Sequence, residues 1–311
     1  MSKVKTTYDH IKSNNIKTAI LVALFPCIFI VLIFLFCWMV IPVDQALTIT
    51  VEVAIPTIVI CLVWMLISWA FGDSMMLSSA GATQIQETDP EYKTVFRSVE
   101  NVALAAGLPT PKIYIIHDNA LNAFATGRTP KDASVAITTG LIQKLDNTEL
   151  QGVIAHEMAH IGNRDIRLDM FLITGIGVTV FIADILGRSL IYGSNAHYDK
   201  DGKDNTKIII LMVWLAFSVF NFIISPLLQL AISRKREFAA DATGAQITRN
   251  PSALASALRK ISGNSCVKNL CNTKALSIAC IENPSESRSL MGDLFSTHPS
   301  TKERIKRLES M

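Results

Sequence analysis

Apolar and polar positions divide the chain into long uncharged runs and periodic, charge-bearing segments. Ala19 to Val40 carries no charge and is long enough to cross a bilayer as a helix. Thr48 to Phe71 is a second such run, with Glu52 near one end where it can reach the headgroups. Pro26 and Pro56 kink these helices, which spanning helices tolerate. The link from Ile41 to Leu47 has no lysine or arginine. Met170 to Leu186 reads as a third span, although Asp184 and Arg188 intrude near its end at a spacing that lets them pair. Ile208 to Ile232, again uncharged, is a fourth. Between these runs the periodicity changes. Asp89-Pro90 followed by Glu91 to Ala106 predicts a capped amphipathic helix with Val95, Val99, Val102 and Ala106 on one face, stopped at Gly107-Leu108-Pro109. Lys112 to Ile116 and Ser134 to Thr138 read as short strands, Thr139 to Leu145 as a helix, and Glu149 to Ile161 as another. After Ile232 the chain is polar and helical in tendency.

This pattern predicts a mainly α protein with a small β-sheet, a multi-span membrane protein in five parts. Residues 1–18 form a cytosolic N-terminus and 19–71 a transmembrane hairpin. Residues 72–168 are the first part of a catalytic domain, 169–232 a second hairpin, and 233–311 the rest of the domain. The first run is too long for a signal-peptide core and lacks a small-x-small cleavage site, so it predicts an uncleaved anchor. Apolar residues make up 50% of the 311, which agrees with a membrane protein, and a net charge of +3 is too small to argue for nucleic acid. The 6 cysteines are scattered without a C-x-x-C pair, favouring neither a disulfide framework nor a cysteine metal site.

The chemistry concentrates in Val153 to His160, which reads His-Glu-x-x-His inside an apolar, proline-free run. On a helix, His156 and His160 stand about 40° apart around the axis and about 6 Å apart along it. Both imidazoles can then reach one Zn²⁺ at about 2.0–2.1 Å. Glu157 falls on the same side, placed to take a proton from a zinc-bound water rather than to ligate. A catalytic zinc needs a third protein ligand and an open position. Glu237-Phe238-Ala239-Ala240-Asp241 offers two carboxylates on one helix face. One can ligate zinc and the other can accept the free ring N–H of a ligand histidine. A metzincin would require Gly at 163 and His at 166, where this chain has Asn163 and Ile166, so that reading fails.

Taken together, the chain resembles the HtpX-type membrane zinc metallopeptidases, relatives of the CAAX-prenyl endopeptidases. The resemblance rests on Ala106 to Pro109, Asn122 to Arg128, the His156–His160 motif with Asn163-Arg164-Asp165, Glu237 to Asp241, and Thr297-His298-Pro299, in the family's order. It implies a gluzincin arrangement with one Zn²⁺ per chain, in which His156, His160 and Glu237 are ligands, Glu157 is the general base and Asp241 supports a histidine. It implies that Asn122, Ala123 and Phe124 lie on an edge strand where a peptide adds as a further strand. It also brings His298 and Arg304 near the cleft as donors to the oxyanion. The implied function is an endopeptidase in quality control of damaged or misassembled membrane proteins, in the bacterial cytoplasmic membrane. The alternatives are a CAAX-type processing endopeptidase and a non-catalytic scaffold. Intact His156, Glu157, His160 and Glu237 argue against the scaffold.

Lysines and arginines crowd the N-terminus, the 72–168 region and Arg234 to Arg236. The positive-inside rule therefore predicts four crossings, with the active site facing the cytosol.

Overall fold

The computed structural model describes residues 7–40, 42–192, 206–224, 234–262 and 299–311. Two compact units are built from interleaved segments: Met1–Lys17, Phe71–Thr174 and Gln229–Met311 in one, Thr18–Ala70 and Gly175–Leu228 in the other. The chain opens with two long helices, α1 (Thr7–Val40) and α2 (Val43–Ser79). The polar segment before Ala19 is thus helical from Thr7, and Val43 to Leu47, expected in a link, belong to α2.

The first unit holds a four-stranded sheet made of β1 (Ala82–Gln84), β2 (Lys112–Ile116), β3 (Ala123–Thr126) and β4 (Ser134–Thr138). Its order is β1-β2-β4-β3, with β2 and β4 parallel and both outer pairings antiparallel. β3, which carries Ala123 and Phe124 and follows Asn122, is therefore an edge.

Before β2 runs α3 (Lys93–Ala106), preceded by a 3-10 turn at Pro90–Tyr92. Asp89 does not cap it with its side chain. The carboxylate takes the Gln86 amide at 2.7 Å instead. Val95, Val99 and Val102 are buried as their spacing requires, each burial worth about 1.5–3 kcal/mol. Gly107 ends the helix at φ 66, a left-handed turn that glycine adopts without steric cost.

Two further helices carry the sheet into the site: α4 (Thr139–Lys144) and α5 (Asn147–Gly162). Asp146 and Glu149 form a reciprocal capping box that starts α5. The Glu149 carboxylate also accepts from Ser256 and Lys260 at 2.7 and 2.6 Å. The latter two lie on α9 (Pro251–Ile261), which follows α8 (Arg234–Thr248); the last described helix is α10 (Thr301–Glu309). One continuous core joins α3, the inner strands, α5, α9 and Leu308 of α10.

The second unit packs apolar side chains from several segments. Phe29 lies 4.5 and 4.7 Å, centroid to centroid, from Phe217 and Phe220. These segments are parts of α1, of α7 (Thr206–Val219) and of the π-turn Phe220–Ile224 that follows it. The long α6 (Asp165–Tyr192) includes the Asp184–Arg188 pair at 2.8 Å. Among the described residues, two helices, Val43–Ser79 and Asp165–Ile191, are long and apolar enough to cross a membrane. Pro26–Leu35 and Ile210–Phe222 are shorter apolar stretches. Of the expected fourth span, residues 225–232 lie outside the described residues, as does most of the polar loop before it.

Candidate active site

Helix α5 buries the whole His-Glu-x-x-His segment inside the first unit. His156 and His160 point the same way, with Nε2 atoms 3.2 Å apart. Helix α8 lies against α5 and presents Glu237 to both rings. Its Oε2 is 3.6 Å from His156 Nε2, and its Oε1 is 3.7 Å from His160 Nε2. The ligand atoms of these three residues lie within 4.8 Å of one another. Tetrahedral zinc bonded at about 2.0–2.2 Å needs its donors roughly 3.3–3.5 Å apart. The spacing fits, and the two imidazoles and one carboxylate are a donor set that catalytic zinc uses. Helix packing lets α8 come this close. A Cβ on Gly244 would stand 3.0 Å from the His156 main-chain nitrogen and 3.2 Å from the Ala155 carbonyl carbon.

Each imidazole is gripped from behind at Nδ1. Asp241, one helical turn past Glu237, places Oδ1 3.0 Å from His156 Nδ1. Asp165 places Oδ2 2.8 Å from His160 Nδ1. A carboxylate at Nδ1 keeps the proton there and leaves Nε2 with its lone pair directed at the metal position. In the sequence Asp165 figures only as part of the Asn163-Arg164-Asp165 motif, with no role of its own. Five residues past His160 it would fall off the histidine's face of a continuous helix. A break at Asn163 and Arg164, the latter at φ 58, folds it back.

Arg304, expected beside the cleft as an oxyanion donor, is only 2% exposed. Its Nε and Nη2 bind the two oxygens of Asp241 at 2.9 and 2.7 Å. The guanidinium thus supports the Asp241–His156 pair, a contact between residues 63 apart that no local pattern in the sequence signals. His298 lies outside the described residues.

Electrostatics follow from this packing. Burial opposes the charge on Asp241, but Arg304 and His156 outweigh it and hold the carboxyl down at about 2. For His156 burial likewise disfavours charge, yet hydrogen bonds to Asp241 and Glu237 push the imidazole up to about 9 in the metal-free chain. His160 is raised too, against burial, chiefly by Glu237 and Asp165. Burial raises Glu157, with the two histidines pulling the other way.

The Glu157 carboxylate accepts the Ala125 main-chain N–H. Asn122 accepts the Thr138 amide at 3.0 Å, so the alternation of an antiparallel pair turns the Ala123 and Ala125 amides to the free edge of β3. The edge strand and the base are therefore in contact. Asn122, Ala123 and Phe124 are all buried. A separate cavity of about 720 Å³ lies on the other face of α5, lined by Met158, Ala159, Thr243 and Gln246 and by none of the metal donors.

Two imidazoles and a carboxylate converging in a buried cluster suit the metalloprotease class, and the chain is a hydrolase of that class. It belongs to peptidase family M48, whose model matches residues 90–311. Zinc is the metal of that family. "Protease HtpX homolog" of Thermoanaerobacter pseudethanolicus is 40% identical over 307 residues, covering 99% of this chain and 98% of the relative. The protein of the same name in Bacteroides fragilis is 36% identical over 312 residues, covering 95% and 96%. A crystal structure of S. mikatae Ste24p is similar over 97% of this chain and 66% of its own, with 19% identity and a TM-score of 0.49.

Proposed function

We propose that this chain is a membrane-anchored zinc endopeptidase that hydrolyses polypeptides, chiefly misfolded or damaged membrane proteins, at the cytosolic face of a bacterial cytoplasmic membrane. The observation that carries the reading is the convergence of His156, His160 and Glu237 within 4.8 Å, beside Glu157. The membrane part is supported by α2, where Val51, Ile55, Ile60 and Leu66 are all exposed on a helix long enough to span. Apolar surface of that extent marks contact with lipid or another protein.

His156 Nε2, His160 Nε2 and a Glu237 oxygen would hold one Zn²⁺. Bound there, the ion supplies Lewis-acid chemistry, polarising a scissile carbonyl and lowering the pKa of water to about 7. Glu157 takes the proton from the attacking water and passes it to the leaving amine nitrogen. The free edge of β3 at Ala123 aligns an extended peptide by main-chain hydrogen bonds, and the burial of Glu157 excludes bulk water from its carboxylate. Asp241, Asp165 and Arg304 keep the imidazoles oriented. Arg304 fixes the Asp241 carboxylate that holds His156, and its Nη2 also lies 3.4 Å from His156 Nε2.

The test is metal analysis of the purified full-length chain together with cleavage of a casein-type substrate. One zinc per chain and cleavage abolished by a chelator and restored by zinc are expected. Cleavage that persists after the metal is stripped would overturn the reading.

A further inference from the structure

His160 is held by a relay of groups whose last member comes from the start of the polypeptide. Asp165, fully buried, uses Oδ2 on His160 Nδ1 at 2.8 Å. Its other oxygen, Oδ1, accepts from Asn14 Nδ2 at 2.6 Å. The same nitrogen donates to the Asn163 carbonyl at 3.1 Å. Both acceptors are oxygens without a proton to give, so the NH₂ end of the Asn14 amide must face them. Asn14 is itself buried, at 6% exposure. Asn163 closes α5 and Asp165 opens α6, so this one side chain holds both sides of the corner. Between them Arg164 adopts φ 58, a conformation unfavourable for a residue with a Cβ. Arg236 also approaches Asp165 Oδ1, but at 3.7 Å, and its Nη2 is bound to Asp169 at 2.8 Å. The short bond to Oδ1 comes from Asn14.

We propose that Asn14 is a positioning residue of the metal centre: its amide clamps the α5–α6 corner and holds Asp165 against His160, so that the first turns of α1 take part in binding the metal. This rests on the reading of His156, His160 and Glu237 as zinc ligands. Asn14 touches neither metal nor substrate. It acts by fixing the plane of the Asp165 carboxylate, and through it the direction of the His160 Nε2 lone pair. Partners that orient a ligand typically change metal affinity about 10–100-fold. Asn14 stands one bond further out, so an effect near the lower end, about 10-fold, is expected.

The experiment uses the full-length chain in detergent, stripped of metal, with zinc affinity measured by competition against a chelator. Stoichiometric zinc in the wild type, lost in Glu237→Ala, establishes the centre independently of Asn14. Asn14→Ala should then bind zinc about 10-fold more weakly, and the visible spectrum of its cobalt-loaded form should shift. On top of Asp165→Asn, the same change should add less than about twofold, because the path through Asp165 is already cut. An equal loss in both backgrounds would mean that Asn14 acts through stability alone, and would overturn the proposal. Wild-type affinity in Asn14→Ala would overturn it too, while leaving the metal centre standing. A wild type that binds no zinc would remove both. Should the alanine variant not fold, the isosteric Asn14→Asp serves. It sets a second carboxylate against Asp165 and should weaken zinc at least as much. Its affinity should equal that of Asp165→Asn once the two changes are combined, and failure to do so overturns the proposal.

Discussion

Glu157 and Glu237 are the same residue type in one buried cluster, and their neighbours separate their roles. Glu237 faces both Nε2 atoms, whereas Glu157 meets the Ala125 amide at the edge of β3. Glu157→Gln is therefore expected to keep its zinc and to lose peptide turnover by about 10²-fold or more, the contribution of a positioned base. Zinc content and turnover measured on the same preparation check this, and near-normal turnover would remove Glu157 from the mechanism. Replacing His156, His160 or Glu237 with alanine should each deplete zinc. Asp241→Asn should weaken affinity or activity by only about 10–100-fold, since it alters the grip on a ligand and removes none. Full metal occupancy in Glu237→Ala would show the third ligand to be misassigned. At this scale His156, Glu157 and His160 are legible in the sequence because five consecutive residues of one helix carry them. Asp165 is not legible, because its meeting with His160 depends on a left-handed residue at the corner.

Helix α8 carries the proposed third ligand, Glu237. Glu237, Asp241 and Gly244 recur at spacings of four and three, so the two carboxylates and the point of closest approach share one face. Three atoms of α5 main chain stand at 3.0, 3.2 and 3.2 Å from where a Cβ on Gly244 would lie, and backbone cannot swing aside as a side-chain tip can. Gly244→Val should push α8 off α5, costing about 1–3 kcal/mol of stability as overpacking does. The displacement should also weaken zinc binding more than about 10-fold, because an off-register ligand is lost as surely as a deleted one. Denaturant unfolding and chelator competition on the variant measure the two effects separately. Unchanged zinc affinity would mean that the helix spacing is not what sets the donor distances. Glu237 and Asp241 are visible in the sequence as a face. Which α5 histidine each one meets is not.

For the molecule as a whole, the distribution of charge predicts which side of a membrane the site faces. The positive-inside rule applied to the lysines and arginines predicts the N-terminus, the His-Glu-x-x-His helix and the C-terminal segment in the cytosol and residues 192–207 outside. The three lysines of that loop are offset by three aspartates. Single cysteines on a cysteine-free background give the test. A probe at Ser194 should react with an impermeant reagent in intact cells, and one at Ser265 should not. Labelling at Ser265 alone would move the proteolysis to the outside. Both positions lie outside the described residues.

Local patterns alone determined much of this protein. Uncharged length marks the long helices, β2 and β4 read as short strands, and the three-four spacing of valines marks α3, since each of these depends on neighbours close along the chain. Motif spacing within single helices picked out His156, Glu157 and His160, and the face of α8. The tertiary structure decided what joins distant segments. It brought Glu237 to the histidines across nearly eighty residues of chain, committed Arg304 to Asp241, and set Asn14 on Asp165. Such contacts exist only after packing excludes water from the site, and no periodicity records them. The carboxylate behind each histidine is the clearest case. Asp241 reaches His156 because two helices touch at a glycine, and Asp165 reaches His160 because one helix ends in a turn that its own sequence disfavours.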